Sequence, residues 1–300
     1  MQWTIWRHIR LELPADWEML QFSRNMVAGR CAFADRTQFR AELSWQAVSG
    51  PPDLERLASD YLAKRRLDGT IAGGVSPRRD SRGGDVPPTL ARVGEWHGLR
   101  CHEGGLLTSR FSRYLGEEGC LIEFVLLWPQ GLDASLEADI LARVAAERPW
   151  PGGWRRWRAF GLDALAPGNL DLVECVAQPA LARLGFADAR EEHQVTFERL
   201  GMVPQWLRGS VRDWLARQVP SDLRDASEGR AEANGHQVEG LSGLRRGGAL
   251  RRPTRYAAAA WLCPADGRLY RVAVTGLGAV EGGRPALDRL SCCEGKPLRG

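Results

Sequence analysis

Apolar and polar positions alternate in short runs along the first forty-odd residues, and Trp17 to Ser23, Arg30 to Asp35 and Gln38 to Trp45 read as three strands. Gly29 and Asp35-Arg36 supply turn chemistry between them. The period then changes. In LERLASDYLAKRR, Leu54, Leu57, Ala58, Tyr61 and Leu62 fall on one helical stripe, with Asp53 after Pro51-Pro52 as N-cap. A Gly/Pro/Arg-rich loop from about Leu67 to Leu90 leads to strands near Val93 to Cys101, Leu106 to Tyr114 and Cys120 to Trp128. Leu136, Ile140, Leu141 and Val144 then mark a second helix over about Ala134 to Ala146.

The second half runs through the same order. Strands are predicted near Leu170 to Val176, Ala182 to Ala187 and Gln194 to Leu200, then one helix from Pro204 to Val219. Strands near Gln237 to Leu241, Arg255 to Leu262 and Arg268 to Val274 follow, and a short last helix starts at Pro285. Both halves contain Phe-Ala-Asp, at Phe33-Ala34-Asp35 and Phe186-Ala187-Asp188, 153 residues apart. Gly98-Leu99 and Gly240-Leu241 are separated by 142, Leu136 and Leu287 by 151. A shared order at shared spacing predicts a duplicated domain. The expected fold class is α+β, two tandem repeats of an antiparallel β-sheet with packed helices, each β-β-β-α-β-β-β-α. The expected boundaries are 1–148 and 154–300, with 149–153 as linker.

The proline-then-tryptophan start (LPADW), the Trp96-His97-Gly98 strand and the final long hairpin before a helix resemble the Mog/PsbP-like α+β sandwich. That resemblance implies an antiparallel sheet between helices and a binding role. Relatives of that kind include adaptors, photosystem subunits, lipoproteins and chaperones for type VI secretion effectors. In those chaperones two such domains pair, which a tandem copy would resemble as a covalently joined pair. The second copy departs from the pattern, with Leu170 where the first has Trp17 and no tryptophan before Gly240.

A length of 300 residues favours two domains over one core. A hydrophobic fraction of 44%, a charged fraction of 26% and a net charge of +4 belong to an ordinary globular protein. MQWTIWRHIRLELP lacks the apolar run of a signal peptide, and the longest apolar stretch, Leu121 to Trp128, is interrupted by Glu123. The expectation is a cytoplasmic chain with no membrane insertion and its seven cysteines reduced.

Candidate chemistry is sparse. His97, Cys101 and His102 resemble metal ligands, but alternation puts His102 on the opposite face, and His97 and Cys101 would lie about 13 Å apart along a strand. Cys292 and Cys293, read as part of the last helix, diverge around its axis. The five histidines lie in no GxSxG-like setting, and no phosphate loop follows a strand. No catalytic residue, metal ligand or cofactor is predicted. Two basic features remain. Trp150, Trp154 and Trp157 alternate with Arg155 and Arg156, while Arg245, Arg246, Arg251 and Arg252 cluster among glycines. Arginine among aromatic rings suits phosphates and stacked bases as well as a protein surface. The leading expectation is a non-catalytic binding module with a protein partner: an adaptor, a chaperone-like protein or an assembly subunit. Nucleic-acid binding through the arginine loops is the alternative, and an enzyme without a recognisable motif the second.

Overall fold

The computed structural model describes residues 1–67, 89–103, 105–233, 235–246, 253–276 and 287–293. They fall into two units, Met1–Ala146 and Glu147–Gly300. In the first unit a hairpin, β1 (Gln2–Trp6) and β2 (Ile9–Leu13), precedes β3 (Glu18–Phe22), β4 (Ala28–Ala34) and β5 (Phe39–Ala47). Helix α1 (Leu54–Leu67) follows, then β6 (Thr89–Val93), β7 (Trp96–Glu103), β8 (Leu106–Leu115) and β9 (Cys120–Trp128), then α2 (Ala134–Ala142) and β10 (Ala145–Ala146). The sheet order is β3-β4-β5-β9-β8-β7-β6, all antiparallel, and β10 pairs with β2 in a separate ribbon.

The second unit opens with β11 (Trp154–Ala159) and β12 (Leu162–Pro167), then β13 (Asp171–Gln178), β14 (Leu181–Ala187) and β15 (Gln194–Leu200). Two short helices, α3 (Val203–Trp206) and α4 (Val211–Arg217), lead to β16 (Leu223–Ala233), β17 (His236–Arg245), β18 (Thr254–Cys263) and β19 (Arg268–Thr275). A 3-10 turn at Leu287–Arg289 ends in β20 (Leu290–Ser291), which pairs with β12. The sheet order is β13-β14-β15-β19-β18-β17-β16.

The two sheets match rung for rung. Leu99 lies opposite Arg110, Arg110 opposite Val125, Val125 opposite Glu42 and Glu42 opposite Ala32. The same walk from Leu241 passes Ala258, Ala273 and Thr196 to Gly185. Phe33 and Phe186, the next residues, therefore occupy one rung, as do Asp35 and Asp188 just beyond. Each aspartate ties the turn after its strand. Asp35 Oδ1 accepts from the Thr37 and Gln38 amides at 2.7 and 2.8 Å, and Asp188 Oδ1 accepts from the Glu192 amide at 2.8 Å.

The balance of elements corrects the α+β expectation. Strands make up 56% and helices 15% of the described residues, which are therefore mostly β. The six-strand, two-helix plan overlooked β1 and β2, whose burial alternates from Ile9 to Leu13 and whose tight turn holds Arg7 and His8 at φ of 49° and 59°. It also overlooked β6, β11, β12 and β16. The last, LRDASEGRAEA, carries no apolar alternation and is held by its pairing with β17. Helix α1 runs as its periodicity predicts, but α2 and the helices of the second unit are shorter than theirs promised. Instead of one helix over Pro204 to Val219, Gly209 turns at φ 87° and Ser210 begins α4 with a capping box to Asp213. No helix among the described residues is long and apolar enough to cross a membrane.

One face of the first sheet is sealed. Phe33, Leu43, Phe111, Phe124 and Leu126 are buried there with Ile140 and Leu141 of α2. Trp6 of β1 packs on Phe22 with ring centroids 5.3 Å apart. The Trp96 indole donates to the Leu141 carbonyl at 3.0 Å, and Gly98 beside it has no room for a side chain. A Cβ at Gly98 would lie 2.0 Å from the Arg110 carbonyl oxygen. In the second unit Trp157 packs on Phe186, centroids 5.2 Å apart.

Candidate functional site

The two units differ in how a helix covers the other face. In the second, α4 sinks Trp214 and Leu215 into a cluster with Leu241, Tyr256, Ala258, Ala260 and Leu269. In the first, no described side chain of α1 is buried, and Leu57 at the middle of its apolar stripe is 41% exposed. The rungs explain the difference. Where the second sheet offers Ala258 and Ala260 to its helix, the first offers Arg110 and Ser112. An alanine lets an indole drop onto the backbone, whereas a guanidinium fills that space and brings charge with it.

Arg110 is anchored on several sides. Its guanidinium lies 4.6 Å from the Tyr61 ring centroid, is hydrogen-bonded to Glu123, and approaches Glu103 Oε2 at 3.8 Å. Tyr61 donates its hydroxyl to Glu103 Oε1 at 2.7 Å, and His97 Nδ1 stands 3.6 Å from Glu55 Oε1 nearer the start of the helix. A groove of about 190 Å³ runs between α1 and the sheet. Leu57, Tyr61, Leu99 and Leu121 give it apolar walls, and Arg110 and Glu123 a charged floor. Arg110 Nε in that floor is buried with no hydrogen-bond partner.

The basic-aromatic stretch predicted from the sequence is structured and internally engaged. Trp150 and Trp154 close a turn through Gly152 and Gly153, with the Trp150 amide donating to the Trp154 carbonyl at 2.8 Å. Residues 154–157 lie in β11, so the expected linker runs straight into a strand. Trp157 is buried, and Trp154 lies 4.2 Å beneath the Arg289 guanidinium. Arg155 donates to the Glu147 carbonyl at 3.4 Å, and Arg156 makes two hydrogen bonds to Asp163 at 2.8 and 2.7 Å. In the other cluster, Arg245 Nε is 3.3 Å from Asp222 Oδ1 and the Arg246 amide is 3.4 Å from the Asp222 carbonyl. Arg251 and Arg252 lie outside the described residues.

The suspected ligands divide as alternation requires. His97 and Cys101 share the face under α1, where the Cys101 sulfur is 3.5 Å from Glu103 Oε1. A different group converges in the second unit. His236, Cys263, Cys292 and Cys293 bring their four donor atoms within 4.8 Å of one another. Cys292 and Cys293 are not helical, as the sequence reading had them, but follow β20 in a bend.

Fold and site together define a class: a mostly β protein of two topologically matched units, one with its helix seated and one with its helix held off the sheet. No family model and no curated protein matches the chain. Among solved structures, a protein from Bacteroides thetaiotaomicron shares 14% identity with a TM-score of 0.30, over 56% of this chain and 56% of its own. The match thus spans little more than half of that protein. The T6SS immunity protein TplEi of Pseudomonas aeruginosa, solved in complex with an "L" peptide, shares 8% identity with a TM-score of 0.32, over 90% of this chain and 91% of that one. Likenesses at these scores assign no function.

Proposed function

We propose that the protein is a non-catalytic binding module that holds an extended segment of a protein partner in the groove beneath α1. The observation that carries this reading is the contrast between two matched helices. The same sheet position closes over alanine in one unit and stays open over Arg110 in the other. An apolar side chain fits the walls made by Leu57, Leu99 and Leu121, and a backbone carbonyl supplies the acceptor that Arg110 Nε lacks. The nucleic-acid alternative has less behind it, because Arg156 and Arg245 are already paired with Asp163 and Asp222.

Panning a displayed random-peptide library against the full chain tests the groove. Enriched peptides are expected to share an apolar residue, and to lose binding to Leu57→Glu and Tyr61→Ala while the fold is kept. Absence of enrichment, or binders indifferent to both changes, would remove the groove as the site.

A further inference from the structure

We infer that His236, Cys263, Cys292 and Cys293 form a closed four-ligand site for one zinc-class divalent cation. The inference is independent of the groove, which lies in the other unit. Three segments distant in sequence supply the donors. His236 opens β17, and the β17–β18 register, with Glu239 opposite Ala260, carries it across from Cys263 at the end of β18. Cys292 and Cys293 follow β20, placed by the pairing of Leu290 and Ser291 with Ala164 and Asp163.

The spacing is near that of a tetrahedral site, with all four donor atoms within 4.8 Å of one another. His236 Nε2 is 3.1 Å from Cys293 Sγ, Cys263 Sγ is 3.4 Å from Cys293 Sγ, and Cys292 Sγ is 3.6 Å from Cys293 Sγ. Zinc–sulfur bonds of about 2.3 Å and zinc–nitrogen bonds of about 2.0 Å place tetrahedral ligands about 3.5–3.8 Å apart. Three thiolates and an imidazole are soft donors, which select zinc over magnesium or calcium. Four protein ligands leave no coordination position for a substrate, so the site is structural rather than catalytic.

N–H donors lie around two of the sulfurs. The Asp266 and Ala265 amides of the turn after β18 donate toward the Cys263 sulfur. The Trp261 indole donates toward the Cys292 sulfur. Trp261 Nε1 is buried and without another hydrogen-bond acceptor. Such N–H donors around a metal-bound thiolate fix and stabilise it. Packing alone does not demand these residues. On the rung of Cys263 the first unit carries Leu115, a plain buried hydrophobe. Binding is a proton exchange: the cation displaces one proton from each of three thiols to solvent, the imidazole binds neutral through Nε2, and the filled site carries one net negative charge.

The test uses the full chain made in zinc-supplemented medium and desalted without chelator. Elemental analysis is expected to give one zinc per chain. Cobalt(II) replacing it should show intense tetrahedral visible bands and a sulfur-to-cobalt charge-transfer band at one equivalent. His236→Gln and Cys293→Ser, both at half-buried positions, should lose that equivalent, and Cys175→Ala in the same unit should keep it. Trp261→Phe should keep the stoichiometry and weaken affinity about 10–100-fold. Should a ligand variant misfold, alkylation of the wild type serves instead, with zinc shielding Cys263, Cys292 and Cys293 but not Cys175. No bound metal, iron in place of zinc, a weak octahedral cobalt spectrum, or a Cys263–Cys293 disulfide in protein kept from air would each overturn the assignment.

Discussion

Removing the same side chain from the two matched helices should have unequal consequences. Leu215 is 2% exposed and sits among Trp214, Leu241, Tyr256 and Leu269, so Leu215→Ala leaves a closed cavity. The expected cost is about 3 kcal/mol, within the range of about 2–5 kcal/mol for a fully buried leucine. Leu57 is 41% exposed on the wall of an open groove, so its removal adds no closed cavity. Three lost carbons at about 0.8 kcal/mol each would come to about 2.4 kcal/mol if fully buried. Partial burial, and the residual burial of such a residue in the unfolded chain, reduce that to about 1 kcal/mol. A chain of two units need not unfold in one step, so a single midpoint is the wrong readout. Hydrogen exchange read by mass spectrometry across a urea series gives each unit its own opening free energy. Equal losses for Leu57→Ala and Leu215→Ala would mean that α1 is as firmly seated as α4, and the groove reading would fall with it.

Three further outcomes follow from the same packing. Ala258→Arg, which installs the first unit's residue beneath α4, should destabilise the second unit by about 3–5 kcal/mol, because its charge and bulk are driven among Leu241, Tyr256 and Leu269; an unchanged thermal melt would separate helix seating from this rung. Glu137 is fully buried in α2 and accepts from Arg100 at 3.1 Å and from Ser109, so Glu137→Ala should cost about 3 kcal/mol in denaturant unfolding, and a cost near zero would show that water replaces the carboxylate. The Thr37 amide and hydroxyl, with Arg40 and the Gln38 amide, hold the Asp35 carboxyl well below the usual carboxylate range. A depressed folded pKa gives stability that is complete above the unfolded value of about 3.9 and is lost as pH falls below it. Exchange of the amides at 34–39 should therefore be unaffected by lowering the pH from neutral to about 5 apart from the intrinsic rate, and should quicken below about 4. That acid-dependent part should vanish in Asp35→Asn, and its persistence there would assign it to another group.

What the sequence disclosed depended on how local the physics was. Phe33 and Phe186 stand out in a linear reading because each fixes one core rung, and Asp35 and Asp188 because each ties the turn that follows. The strand Cys120–Trp128 was equally plain, since every second residue is buried. The break between α3 and α4 was also written in the chain, as Gly209 and the Ser210–Asp213 cap, but the apolar period over Leu207, Val211, Trp214 and Leu215 ran across it. The groove was hidden for a different reason. Leu57 lies on as good a stripe as Trp214, and its exposure is decided by Arg110, about fifty residues away and two strands over. The ligands of the second unit were hidden by distance too, and by the assumption of a helix around Cys292 and Cys293, which a two-residue strand replaces.

The edges of the two sheets bear on how the protein behaves at high concentration. β3 and β13 are outer strands, and each slips register against its neighbour at the same rung, between Met19 and Gln21 and between Leu172 and Glu174. β16, on the opposite edge of its sheet, slips between Arg224 and Ser227, with Asp225 at a φ of 51°. Such irregular edges make poor templates for a further strand. β6 alone among these outer strands pairs without a slip, from Thr89 opposite Arg100 to Val93 opposite Trp96. Strand-to-strand stacking between copies of the chain is therefore discouraged at three of the four borders, and the fourth is where a search for fibril-forming contacts, or for substitutions that keep the protein monodisperse in storage, should begin.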